Sequence, residues 1–165
     1  MDRSTILAFH IVGFFVTLAS LPVLFLGLSR GLDEDDVRAA FKEFQQAIKA
    51  GDADKIWPLL DKTSQETVEK AAKSLRDGYD KADAKKKAEL EKAFGLSADE
   101  MAKLTGKVYT KSKRYLGKYN EVPGSKVEKV TVSGEKATIF YVEEDGDKVE
   151  MAASRQDGKW KLSPK

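Results

Sequence analysis

From Lys126 onward the chain alternates between apolar and polar residues, and this constrains its fold more than any other feature. The runs KVEKVTVS, KATIFYV, KVEMAAS and KWKL each carry the two-residue period of a strand with one face turned inward. Only GE, EEDGD and RQDG separate them, and each of these holds a glycine. Connections this short leave no room for a crossover, so consecutive strands must be antiparallel neighbours. Residues 126–163 are therefore expected to form a four-stranded antiparallel meander. KATIFYV carries apolar or β-branched side chains on both faces, Ala137, Ile139 and Tyr141 against Thr138, Phe140 and Val142, which places it inside the sheet. In the last strand Trp160 and Leu162 share a face, and the Asp157–Gly158 turn sets the register that puts them there. A ring as large as Trp160 on one face calls for helices to cover it.

The region before the sheet has helical spacing. In DEDDVRAAFKEFQQAIKAGD the acids open the helix, where its dipole favours negative charge. Val37, Ala40, Phe41, Phe44 and Ile48 recur every three or four residues, and Gly51 supplies a left-handed stop. A first helix over 33–50 follows, then a short helical element over 52–61 started by Asp52 and limited by Pro58. Thr63–Glu66 and Ser97–Glu100 have the spacing of capping boxes, so residues 63–119 are expected to be helical, with a stop at Gly95. The expected interior, or the lining of any pocket within it, is Phe41, Phe44, Trp57, Leu60, Ile139, Tyr141 and Trp160.

The N-terminal run ILAFHIVGFFVTLASLPVLFLGL, from Ile6 to Leu28, has no acid, lysine or arginine. As a helix it would extend about 34 Å, at roughly 1.5 Å per residue, against a bilayer core of about 30 Å. It is too long for a signal-peptide core and lacks a good cleavage site. Residues 1–32 are accordingly expected to be a transmembrane signal-anchor and residues 33–165 one α+β domain. This single-pass arrangement, with Arg3 on the inner side, puts the domain outside the cytoplasm, at the cell membrane or envelope. His10 reads as a neutral histidine near the interface, and Pro22 as a kink.

Composition excludes several chemistries. With no cysteine there are no disulfides, thiolate metal sites or thiol nucleophiles. The only histidine, His10, lies in the apolar run, so residues 33–165 have no imidazole for acid–base catalysis or metal binding. A net charge of +2, from 29 basic and 27 acidic residues, argues against a nucleic-acid partner. No cofactor and no metal are expected. The acids of EEDGDKVE lack the twelve-residue order of an EF-hand and read as a hairpin turn. Lys103, Lys107, Lys111, Arg114 and Lys118 would form a cationic stripe if Gly106 leaves the helix intact. Such a stripe is a candidate contact for an anionic surface.

The helix ending AIKAGDADKIWPLLD and the meander closing DGKWKL resemble the NTF2-like superfamily, whose fold is cystatin-like. More narrowly, the chain is similar to small envelope-associated or lipoprotein-type domains of unknown function in that superfamily. The resemblance covers Val37–Asp61 and Val127–Leu162. It implies a cone of curved sheet around helices, often with an apolar pocket, and homodimers in many members. Some members are isomerases or dehydratases, and many others are non-catalytic modules that bind ligands or proteins. No catalytic residue carries over, because the dehydratase histidine is missing and no isomerase Tyr/Asp arrangement aligns. The expected function is thus a membrane-tethered, non-catalytic domain binding a partner protein or small ligand. The alternatives are a small-molecule enzyme using Tyr141 or a buried carboxylate, and an electrostatic contact module acting through the lysine stripe.

Overall fold

The structure is a computed structural model that describes residues 23–164. Helix α1, Val23–Ala50, lies across one face of a sheet made of β1, Lys126–Ser133, β2, Lys136–Val142, β3, Lys148–Gln156, and β4, Lys159–Ser163. Spatial order equals sequence order and every pairing is antiparallel, so the expected meander is present with β2 and β3 inside. Between α1 and the sheet come α2, Ala53–Leu59, α3, Lys62–Lys81, α4, Ala84–Phe94, α5, Ala98–Ala102, α6, Gly106–Tyr109, and α7, Lys113–Lys118. A 3-10 turn over Val122–Gly124 leads into β1.

The alternation along the strands decides which face is dry. Val130, Ile139, Met151 and Leu162 point inward, and on α1 Val37, Phe41, Phe44 and Ile48 meet them. Phe41 and Tyr141 have ring centroids 5.0 Å apart. Asp157 at φ 51° and Gly158 at φ 73° both adopt the left-handed conformation of a tight hairpin turn, which aims Trp160 and Leu162 at the helices. Arg155 stacks its guanidinium 5.0 Å from the Trp160 ring and pairs with Asp33, tying α1 to the far end of the hairpin. Gln45, also on α1, donates to the carbonyls of Val122 and Ser125, each at 2.9 Å, and so holds the start of β1.

Of the expected interior residues, Phe41, Phe44, Leu60, Ile139, Tyr141 and Trp160 are buried. Trp57 is only half-buried, and the residue of α2 that reaches the core is its neighbour Ile56. Asp52 caps α2 as expected, and Pro58 falls in its last turn, where its missing N–H cuts the hydrogen-bond ladder short. Gly51 and Gly95 both end helices at positive φ.

The helical stretch is more divided than its spacing suggests. Asp61, not Thr63, caps α3, accepting from the Ser64 N–H at 2.7 Å. Lys81 closes α3, and Asp83 caps α4, accepting from the Lys86 N–H. The Ser97–Glu100 capping box is formed, yet α5 stops at Ala102. Thr105 and Ser112 then cap two further short helices, each accepting an N–H from three residues ahead. Helices α3, α4 and α5 enclose a second small core of Ala72, Tyr79, Phe94, Leu96, Met101 and Leu104.

The transmembrane expectation requires correction. Among the described residues no helix is long and apolar enough to cross a membrane. Val23–Leu28 are the opening turns of α1, which runs on through residues 32 and 33 without a break. Within its first five turns it carries Arg30, Asp33, Glu34, Asp35, Asp36 and Arg38, more charge than a bilayer core tolerates. The single-pass and signal-anchor readings go with it. Ile6–Pro22, including His10, lie outside the described residues.

One close approach controls how α6 meets α2 and α3. Gly106 donates its N–H to Glu69 Oε2 at 2.6 Å, and a Cβ added there would sit 2.6 Å from that oxygen and 2.7 Å from the Trp57 ring. A Gly106→Ala chain is expected to lose about 1–3 kcal/mol in denaturant unfolding. Adding Trp57→Leu should recover part of the loss, because the two positions share the crowded contact. Strict additivity of the two substitutions would count against this packing.

Candidate functional site

Helices α3 and α7, the middle of β3 and the end of β4 converge without filling the space between them. They leave an open cleft of about 780 Å³. Thr63, Ser64, Thr67, Val68 and Ala71 form its α3 wall. Tyr109, Tyr115 and Tyr119 form the opposite wall, with Arg114 and Lys118 beside them and Asp61, Ala152, Ser163 and Pro164 at the sheet end.

The sequence builds this wall locally. Ser112 is fully buried and caps α7, its Oγ accepting from the Tyr115 N–H at 3.2 Å. That cap fixes the helix phase, and the four-residue spacing of Tyr115 and Tyr119 puts both rings on its inner side, with centroids 5.0 Å apart at 60°. Tyr109, at the end of α6, meets Tyr115 edge-on at 6.2 Å and Phe94 at 6.1 Å. Tyr119 continues the series to Phe44 of α1 at 6.0 Å.

The Tyr115 and Tyr119 phenols stay protonated across the physiological range. Burial, reinforced by the neighbouring tyrosines, pushes the Tyr115 hydroxyl far above the ordinary phenol value. Burial also raises Tyr119 to about 12. The Tyr115 hydroxyl is buried and has no hydrogen-bond partner among the described residues. An unpaired buried donor of this kind costs about 1–3 kcal/mol. Tyr141, the candidate acid or base, packs on Phe41, and burial raises it to about 12 as well.

The one carboxylate of the cleft is already committed. Asp61 accepts from the Ser64 N–H and from the Ser163 hydroxyl, and its own backbone N–H donates to the Leu162 carbonyl at 2.9 Å. Leu60 and Leu162 form a single parallel bridge at the same point. Asp61 thus fastens α3 to the closing strand and holds the corner of the cleft.

The five cations of the proposed stripe separate in the structure, because three helices and two linkers replace one continuous helix. Lys103 pairs with Asp99 at 2.8 Å, Lys107 with Asp54, and Lys111 with Glu100. Arg114 lies 5.9 Å from the Phe94 ring and Lys118 5.3 Å from the Tyr119 ring. Neither has a carboxylate partner among the described residues, and both line the cleft. The aromatic wall itself was missed by sequence reasoning. Its available signal was the tyrosine spacing over 109–119, which reads as ordinary core.

A second cluster lies elsewhere. Glu121, Glu143 and Asp145 bring carboxylate oxygens within 4.8 Å of one another, a grouping that could hold a metal ion. The EEDGD segment is a hairpin turn, closed by the Glu143 N–H on the Asp147 carbonyl at 2.9 Å and by the Asp147 N–H on Asp145 at 3.0 Å. Crowding by Asp145, with burial and Glu143 behind it, raises Glu121 above the usual carboxylate range. Burial, then Asp145 and Asp147, raise Glu143 likewise. Glu100 is the opposite case: Lys111 and the Ser97 cap lower it to about 2.

These shifts set opposite pH dependences. Glu143 binds its proton more tightly when folded, so its penalty is absent below the ordinary value of 4.5 and grows as pH rises through the raised value. Glu143→Gln should raise Tm at pH 7, and the gain should vanish below about pH 4. Glu100 contributes stability that is full above 4.5 and is lost as pH falls through about 2. Glu100→Gln should therefore lower Tm at pH 7 and converge on the parent near pH 2. Melting curves across that range check both signs.

No protein-family model matches the chain, and neither a curated protein nor a solved structure matches it, so known relatives neither support nor oppose the cone-fold resemblance.

Proposed function

We propose that the chain is a non-catalytic binding module that takes a small ligand in the cleft between α3, α7, the middle of β3 and the end of β4. The observation that carries this reading is a wall of three tyrosines beside an open space of about 780 Å³. A space of that size falls within the range that small-molecule sites occupy. Stacking on Tyr109 and Tyr119 gives an occupant apolar contact.

The chemistry of the lining favours holding over turnover. A general base for neutral pH needs a group that gains and loses protons near pH 7. Tyr119 at about 12, and Tyr115 also raised, keep their protons there, while Asp61 serves as a helix cap and strand tie. The NTF2-like resemblance, with its many non-catalytic members, agrees with this reading.

Ala71 is an exposed small residue on the α3 wall, so a large side chain there fills the cleft without disturbing the core. Thermal-shift screening of the full chain against small organic acids, ketones, esters and alcohols is expected to yield compounds that raise Tm. The same compounds should leave Ala71→Trp unmoved. Tyr115→Phe should be at least as stable as the parent without ligand. Saturable turnover of an isomerase, dehydratase or ester substrate, lost in Ala71→Trp, would replace the binding reading with an enzymatic one.

A further inference from the structure

The unpaired charge around the cleft narrows what can occupy it. Every other member of the cationic series has a carboxylate partner: Lys103 with Asp99, Lys107 with Asp54, and Lys111 with Glu100. Arg114 and Lys118 alone have none among the described residues, and these two line the cleft. Their positions are four residues apart on α7, on either side of Tyr115. The only acid in the lining, Asp61, is 7% exposed and already bonded to Ser64 and Ser163. An incoming anion therefore meets two available cations and a carboxylate that is turned to other work.

The interior of the cleft has a different character. Val68, Ala71, Tyr109, Tyr119 and Pro164 give it an apolar wall. Tyr115 is 5% exposed and its hydroxyl lacks an acceptor. The lining thus combines a cationic side with an apolar body.

We infer that the ligand is a small organic acid: a compact apolar body carrying one anionic group that Arg114 and Lys118 receive at the mouth. The inference rests on the binding reading above and specifies its ligand class. Charge-assisted bonds from an arginine are about twice as strong as neutral ones, so the anionic group supplies selectivity and the tyrosine wall supplies contact. A neutral compound of the same shape keeps the wall contacts and loses the rim.

Two fluorescent probes of similar shape separate the contributions. Anilinonaphthalene sulfonate is an anion, and N-phenylnaphthylamine is its neutral counterpart. Titrated into the full-length chain, the anion is expected to bind about tenfold more tightly than the neutral probe or better. Arg114→Gln with Lys118→Gln should abolish that advantage, so that the variant binds the two probes alike. Raising NaCl from about 0.05 M to about 0.5 M should weaken the anion alone. Ala71→Trp should weaken both probes, and binding that survives it belongs to another part of the chain, including the apolar N-terminal run. Circular dichroism melts establish that each variant is folded. Displacement of the bound anion by naphthoate or by decanoate then tells an aromatic acid from a chain acid.

Equal binding of the two probes, both lost in Ala71→Trp, overturns the acid assignment and leaves the binding cleft standing. The same holds if the double charge variant binds the anion undiminished. Binding of both probes that is indifferent to Ala71→Trp overturns the cleft reading together with the acid assignment.

Discussion

The burial of one face of α1 against the inner face of the meander is the constraint on which the remaining structure depends. Val37, Phe41, Phe44 and Ile48 are each at most 4% exposed, and they meet strand residues buried to the same degree. Burying a side chain of this kind is worth about 1.5–3 kcal/mol. The helix is also held at two ends, by Asp33 on Arg155 and by Gln45 on the entry to β1. Ile56 of α2, Tyr115 of α7 and Tyr119 just beyond it then add to the same interior, so the tyrosine wall is an extension of that core. The cleft sits where this extension runs out of partners.

How much of this was legible follows from how far each signal reaches along the chain. The strands were readable almost to the residue, because a two-residue period and glycine turns are local and admit one pairing. The first helix face was readable for the same reason. Residues 97–119 were not. Met101, Leu104, Val108, Tyr115 and Tyr119 keep helical spacing across three separate helices, and only the caps Thr105 and Ser112 betray the breaks. Pro58 drew attention to Trp57 and Leu60, while Ile56, with nothing unusual around it, takes the core position. The apolar N-terminal run disclosed its composition but not that α1 would continue unbroken from Val23 into charged sequence.

The cleft was illegible for a different reason. It joins Thr63–Ala71, Tyr109–Tyr119, Ala152 and Ser163–Pro164, which no sequence period connects. Nor does sequence order reveal that Asp61 binds Ser163, or that Lys107 and Lys111 find acids on other elements. Pairing removes cations from the list of available ones as surely as mutation would. What the tertiary structure contributes is therefore a subtraction: it takes five candidate cations and leaves two, both beside the same aromatic surface.

The two apolar clusters are separate, and among the described residues Tyr109 is the one side chain packed against both. Cooperativity needs shared contacts, and a single ring offers few of them. The tip built from the end of α3 with α4 and α5 is thus able to loosen on its own while the sheet and α1 stay intact. Amide protons around Met101 and Leu104 would then exchange ahead of those in β2, with Tyr109 as the seam along which the molecule parts.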